Sequence, residues 1–171
     1  SFLGTHIDLS IPEVRLARGR DIGGMFDDGG DGRRSSVEMR FSGTIAGAAE
    51  LIFLSETASK LVDLITGDHQ IHHDFDEVAA ATFSEVGNII INAVLGAVSN
   101  ELGLKLEFTI PQFIEGTLDE LFSLLTKDDS SVIVVGKTRF TIKSTEIEGS
   151  IAIFFSLQSF DSFLAAVDRY L

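Results

Sequence analysis

Two stretches of the 171-residue sequence match without a gap at a spacing of 99 positions. The first reads Leu3-Gly-x-x-Ile-x-Leu-x-Ile-Pro-x-Val14, and the second reads Leu102-Gly-x-x-Leu-x-Phe-x-Ile-Pro-x-Phe113. Before the proline, apolar and polar residues alternate, which is the pattern of a β-strand that stops at a turn. The repetition indicates that one structural unit occurs twice in the chain.

The later parts of the two copies match more loosely. Ser35–Val37 resembles Ser130–Val132, and Gly47–Ser55 resembles Gly149–Ser156, each before a predicted helix. We therefore predict a single domain over residues 1–171, with repeat one over about 1–67 and repeat two over about 74–171. Each unit would contain a long helix, a strand ending in proline, a pair of strands and a second helix.

The first copy begins at its strand, so its long helix is expected upstream of Ser1. The sheet surface meant for that helix would then be exposed, and the chain is expected to self-associate as a homodimer to cover it. The fold class predicted from the duplicated unit is α/β (α+β), with a mostly antiparallel sheet packed by long helices.

Two polar segments invite a metal interpretation. Arg18–Ser36 contains Asp27, Asp28 and Asp31, but their spacing is not that of an EF-hand, and its glycines predict a mobile loop. A second segment holds three histidines just before the long helix, where Asp74 and Glu77 have the spacing of a helix-capping box. We predict no metal site in either segment and assign the histidines to the surface: His69, His72 and His73.

Composition excludes several classes of function. The chain has no cysteine, which rules out disulfides, thiolate catalysis and cysteine-bound zinc, and is consistent with a cytoplasmic protein. The formal net charge of −13 argues against nucleic acid and anionic membranes as partners. Uninterrupted apolar runs such as Ile89–Ile91 are too short to span a bilayer.

The most informative segment is a predicted helix from about Asp76 to Glu101, followed by a strand that ends at Pro111. Most of its faces are apolar, so it should lie mainly buried against the sheet. At about 100° per residue, Asn88 and Asn92 lie within roughly 60° of Glu85, forming a narrow polar stripe. Small residues share the stripe: Ala81, Gly96 and Ser99.

Two interpretations of this stripe remain open from the residues alone. It is either the solvent face of an amphipathic helix or a contact surface for a partner. Asparagine is a mediocre helix former, so its repeated use weighs against a plain solvent face. A carboxamide both donates and accepts hydrogen bonds and so orients a water molecule, and a carboxylate one turn away binds a cation.

These residues resemble a known family. The arrangement Glu85-x-x-Asn88, with Pro111 after 22 intervening residues, resembles the signature of the CheC/CheX/FliY chemotaxis phosphatases. The flanking sequence agrees as well, with Asp76-Glu-Val78 before the helix and Glu85-Val-Gly-Asn-Ile89 within it. The paired-repeat organisation is similar to that of CheC, and the resemblance covers nearly the whole chain.

The resemblance implies the activity and the residue roles. Members of the family remove the phosphoryl group from the aspartate of the response regulator CheY. Glu85 would contact the receiver's lysine, Asn88 would orient the attacking water, and Pro111 would shape the strand beside the helix. Asn92, Ala81 and Gly96 would contact the partner. The chain would hold no cofactor, since the receiver would carry the Mg²⁺, and the deamidase CheD is a further candidate partner.

One departure from the family keeps a second function open. Four residues before the glutamate the family usually has Asp or Ser, and here that position is Ala81. The alternative is therefore a non-catalytic binding module in the same pathway, like the middle domain of the flagellar switch protein FliM. A third interpretation, a purely structural α/β domain, leaves the Glu-Asn-Pro spacing to chance.

Overall fold

Eight strands form one antiparallel sheet in the computed structural model, which describes residues 7–10, 13–26, 32–67, 77–123, 132–142, 145 and 147–170. The strands are β1 Ile7–Leu9, β2 Glu13–Arg18, β3 Arg34–Gly43, β4 Gly47–Leu54, β5 Leu106–Phe108, β6 Gln112–Gly116, β7 Val132–Ile142 and β8 Glu148–Ser156. The helices are α1 Ile22–Met25, α2 Ser55–Thr66, α3 Glu77–Leu102, α4 Leu118–Ser123 and α5 Leu157–Tyr170.

The sheet has the same arrangement on both sides of its centre. The main strand order is β1-β7-β8-β4-β3-β5, with β2 also paired to β7 and β6 also paired to β3. The central pair is β4 and β8, and each edge consists of two short strands. The predicted fold class, a mostly antiparallel sheet with helices packed on it, is confirmed.

The ladders repeat with the spacing found in the sequence. Val14 pairs with Gly136 in one half of the sheet, and Phe113 pairs with Val37 in the other half. Phe113 lies 99 positions after Val14, and Gly136 lies 99 positions after Val37. Val37 therefore corresponds to Gly136. The sequence comparison had aligned Val37 with Val132, which is four positions out of register.

Side chains of β4 alternate between two packed layers. Ala49, Leu51 and Phe53 belong to the larger hydrophobic cluster, which also contains residues of α2, α3 and α5. Ala48 and Ile52 belong to a smaller cluster on the other side, with residues of α1 and α4. Helices therefore cover both faces of the sheet, and the long helix α3 lies on the side of the larger cluster.

Two parts of the sequence interpretation need correction. The predicted loop over Arg18–Ser36 contains a 3₁₀ turn, helix α1 and the start of β3, because Ile22 and Phe26 have helical spacing and are buried. Strands β2 and β6 were not predicted from the sequence. The residues discussed as metal ligands or caps, except Glu77 at the start of α3, lie outside the described part of the chain: Asp27, Asp28, Asp31, His69, His72, His73 and Asp74.

The two edges of the sheet differ in how they are covered. On β6, Phe113 contacts Phe83 of α3 with ring centroids 5.9 Å apart. Val14 is the counterpart of Phe113 on β2, yet its side chain is 57% exposed, and that of Leu16 is 65% exposed. The β2 edge therefore presents apolar surface where the β6 edge packs against a helix.

Helix α3 has an unusual combination of length and composition. Among the described residues, α3 is the one helix whose length and apolar composition would allow it to cross a bilayer. The short uninterrupted apolar runs in the sequence did not indicate this. Eight of the 26 residues of α3 are buried within the protein. These buried residues belong to the face of α3 that packs against the sheet.

Candidate functional site: an exposed stripe on helix α3

Helix α3 runs from Glu77 to Leu102, one residue later at each end than the sequence predicts. Its C-terminus is a Schellman motif. Gly103 has φ +63°, the amide of Leu104 donates to the carbonyl of Ser99 at 2.8 Å, and that of Gly103 donates to the carbonyl of Asn100 at 3.4 Å. This firm end fixes the path of the chain from α3 into β5.

The predicted stripe lies on the outer side of α3. Ala81 and Glu85 are exposed, while Asn88, Asn92 and Gly96 are half-buried. Within the described part of the chain, the Glu85 carboxylate has no hydrogen bond or ion pair, and α3 contains no lysine or arginine. An unpaired carboxylate on a helix without cations is free to bind a cation of another molecule.

Two asparagines of the stripe are joined by hydrogen bonds. The Nδ2 atom of Asn92 donates to Oδ1 of Asn88 at 2.7 Å and to the backbone oxygen of Asn88 at 2.9 Å. The carboxamide of Asn88 is therefore held by its neighbour one turn along the helix. Its own Nδ2 group has no partner among the described residues.

Apolar side chains surround the polar stripe. Val78 lies about 20° and Ile89 about 40° from Glu85 around the helix axis. Both are unusually exposed for large apolar residues, Val78 at 69% and Ile89 at 44%. Exposed apolar surface around an unpaired charge is characteristic of a protein–protein contact.

Not every residue assigned to the stripe lies on it. Ser99 is buried, and its hydroxyl donates to the carbonyl of Gly96 at 3.0 Å. The hydroxyl of Thr82, next to Ala81, donates to the carbonyl of Val78 at 2.8 Å. Thr82 is therefore engaged on its own helix and does not replace the acidic or hydroxyl group absent at Ala81.

Pro111 lies between β5 and β6, and not at the end of one strand as predicted. Phe108 pairs with Phe41, and Gln112 pairs with Glu38. Between these two pairs, the segment that joins β5 to β6 has one residue more than β3, which makes it a β-bulge. Within the bulge, the amide of Arg40 donates to the Thr109 hydroxyl at 3.0 Å. Proline fits here because it has no amide hydrogen for the ladder.

Glu50, a buried acid of β4, was not among the predicted site residues. It is fully buried, faces the side of the sheet away from α3, and accepts a hydrogen bond from Ser36 at Oε1, while Oε2 has no partner among the described residues. Burial raises the pKa of Glu50 to about 8, the Ser36 hydrogen bond lowers it, and the nearby Glu38 raises it further. In the sequence, a single Glu among the apolar residues of the strand could have indicated this buried acid.

The stripe and a cavity of this protein lie in different places. The cavity, of about 560 Å³, lies along β2 and the turn before α1, and its lining shares no residue with the stripe. Among the described residues, no group of three His, Asp or Glu side chains is arranged to hold a metal ion. The stripe lies on the exposed side of α3 and does not line this cavity.

Comparisons with known proteins place this geometry in context. The family model described as "Chemotaxis phosphatase CheX" matches residues 35–135. Thermotoga maritima FliY is similar in structure, with a TM-score of 0.78 and 16% identity over 99% of this chain and 85% of that chain. The CheX–CheY–BeF3–Mg²⁺ complex from Borrelia burgdorferi matches with a TM-score of 0.52 and 20% identity, over 90% of this chain and 85% of that chain.

The middle domain of FliM from Vibrio alginolyticus is also similar, with a TM-score of 0.57 and 14% identity over 99% of this chain and 88% of that chain. At these identities the solved structures show a shared fold. The family-model match covers more than half of the chain and includes Glu85 and Asn88. The chain therefore belongs to the CheX family of chemotaxis phosphatases.

Proposed function

We propose that this chain hydrolyses the aspartyl phosphate of a CheY-type receiver domain, with Asn88 as the catalytic residue and Glu85 as the anchor. The observation that carries the proposal is the exposed, unpaired Glu85 carboxylate one turn from Asn88, within the segment that matches the phosphatase family. A CheX relative has been crystallised with CheY and BeF3, which supports a receiver as partner.

The reaction needs a correctly placed water more than it needs a protein nucleophile. The water oxygen bonds to phosphorus while the bond from phosphorus to the aspartyl oxygen breaks. The electron pair of the broken bond stays on the aspartate carboxylate. The protons of the water leave with inorganic phosphate and solvent. Because the transition state is loose, positioning supplies most of the acceleration. An asparagine performs this task without titrating, so no His or Cys is required.

Glu85 is proposed to bind a lysine of the receiver. An exposed ion pair alone contributes only about 0–1 kcal/mol, so the surrounding apolar residues Val78 and Ile89 would supply additional contact. The receiver would hold the Mg²⁺, and this chain would hold no cofactor. The protein would act in the cytoplasm, where receiver domains are phosphorylated.

A non-catalytic binding module is the second candidate. Ala81 at the position where the family usually has Asp or Ser favours it, as does the structural likeness to the FliM middle domain. Retention of both Glu85 and Asn88 favours the phosphatase. The two candidates differ in one measurable property, since a binding module leaves the lifetime of the phosphorylated receiver unchanged.

The test is release of inorganic phosphate from acyl-phosphorylated CheY-type receivers with Mg²⁺ present. Wild type should accelerate release above the receiver's own rate, and Asn88→Ala should remove most of the acceleration. Asn100→Ala is the matched control, since it changes the same residue type at an exposed position of the same helix. Binding without acceleration by wild type, with every cognate receiver, would favour the binding module.

A further inference from the structure

The hydrogen bonds of Asn92 determine which way the Asn88 carboxamide faces. A backbone carbonyl only accepts hydrogen bonds, so the Asn92 atom 2.9 Å from the backbone oxygen of Asn88 must be the amide nitrogen. The Asn88 atom 2.7 Å from that nitrogen must then be the acceptor Oδ1. Both amide orientations therefore follow from one backbone contact.

This arrangement restricts a side chain that is otherwise free to turn. The terminal torsion of asparagine is broad and roughly two-fold, so an isolated Asn88 would present either end of its amide to a partner. With Oδ1 held by Asn92, the Nδ2 group faces away from that contact. One lone pair of Oδ1 is used by Asn92, and the second remains available.

We infer that Asn92 is a positioning residue that fixes the orientation of Asn88 for the proposed hydrolysis, an inference that rests on the proposed function. In that orientation, Nδ2 of Asn88 donates to a phosphoryl oxygen, and the second lone pair of Oδ1 accepts a hydrogen from the attacking water. The oxygen of the water is then free to point towards phosphorus. Donation by Asn92 also polarises the Asn88 amide, which strengthens the hydrogen bonds of its nitrogen.

The contact differs from the ordinary helix-surface hydrogen bonds of this chain. The hydroxyls of Thr82, Ser59 and Thr66 each donate to the carbonyl four residues earlier. Asn92 makes the same backbone contact and in addition reaches the side-chain amide oxygen of residue i−4. A purely structural role would need only the backbone contact.

Three substitutions test the inference by kinetics with a phosphorylated receiver. Asn92→Ala should lower kcat about 10-fold with little change in KM, since a misplaced catalytic group costs rate and not binding. Asn92→Asp should lower kcat further, because a carboxylate attracts Nδ2 of Asn88 and turns the amide over. Thr82→Ala is the control, since it removes a backbone contact on the same helix and should leave kcat unchanged.

A double substitution and a spectroscopic measurement complete the test. In an Asn88→Ala background, Asn92→Ala should cause no additional loss of kcat, because Asn92 acts through Asn88. In the free protein, ¹⁵N relaxation of the Asn88 side-chain amide should show greater motion in Asn92→Ala than in wild type.

The inference would be overturned by an unchanged kcat in Asn92→Ala or by equal amide order with and without Asn92. A rise in KM alone would also overturn it and would make Asn92 a partner contact. Absence of hydrolysis by wild type would instead defeat the proposed function, and the relaxation measurement would still decide whether Asn92 orders Asn88.

Discussion

Gly87 lies directly against Val37, so that a Cβ atom built on Gly87 would stand 2.5 Å from the Cβ atom of Val37. Gly87 is buried in α3 between Glu85 and Asn88, and Val37 is a fully buried residue of β3. The close approach of helix and sheet at this point sets the height of the stripe above the sheet. A glycine is needed here because a side chain would have to enter the core.

Gly87→Ala should therefore destabilise the fold. Overpacking of a tight core contact typically costs about 1–3 kcal/mol, more than the roughly 1 kcal/mol that alanine gains over glycine in a helix. We expect a lower Tm and, because α3 is displaced, a lower rate of the proposed hydrolysis. Gly96→Ala on the same helix is the control for Tm, since a Cβ atom there meets nothing within 4 Å. Equal Tm values for the two variants would contradict the tight contact.

Glu50 should make stability depend on pH. Its folded-state pKa of about 8 lies above the ordinary value of 4.5, so the folded protein keeps this proton after the unfolded chain has lost it. The associated stabilisation is complete below about pH 4.5 and is lost as pH rises towards 8. Over that interval the free energy of unfolding should fall by up to about 1.4 kcal/mol per pH unit.

Urea unfolding of wild type and Glu50→Gln at several pH values measures this dependence. Glutamine cannot ionise, so the difference between the two unfolding free energies should change steadily between pH 5 and pH 8. Glu148→Gln, at an exposed position of β8, is the control. Parallel curves for wild type and Glu50→Gln would show that the buried acid does not titrate in this range.

The exposed β2 edge should cause self-association. Val14 and Leu16 are exposed, whereas Phe113, the counterpart of Val14 on β6, packs against Phe83 of α3. We predict that the 171-residue polypeptide forms homodimers at micromolar concentration and that the double variant Val14→Ser/Leu16→Ser is monomeric. Sedimentation velocity distinguishes the two states, and a monomeric wild type would rule out the prediction.

Long periodic patterns were the most predictable part of this fold. Helix α3 was placed within one residue at each end, because 26 residues with a buried apolar face and a C-terminal glycine leave little choice. The pair of strands predicted for repeat one corresponds to β3 and β4, and α2 ends at Gly67, which has φ +70°, where repeat one was predicted to end. The family signature then located Glu85 and Asn88.

Features that depend on tertiary contacts were not predictable. The bulge at Pro111 arises from the register of two short strands against β3, which no local pattern of the sequence contains. Helix α1 escaped notice because its glycines suggested a loop, and burial of Ile22 and Phe26 decides its conformation. The bond between Asn88 and Asn92 depends on rotamers, which residue spacing permits but does not determine.

The central claim is that Asn88 acts on the reaction while Glu85 acts on binding. The most direct test is single-turnover hydrolysis of a phosphorylated receiver at saturating concentrations of this protein, together with affinity for the same receiver loaded with beryllofluoride. Asn88→Ala should reduce the saturating rate on the order of 100-fold while leaving affinity within about threefold of wild type. Glu85→Ala should weaken affinity, and Glu77→Ala, an exposed acid of the same helix, should change neither. A saturating rate for Asn88→Ala equal to that of wild type would contradict the account.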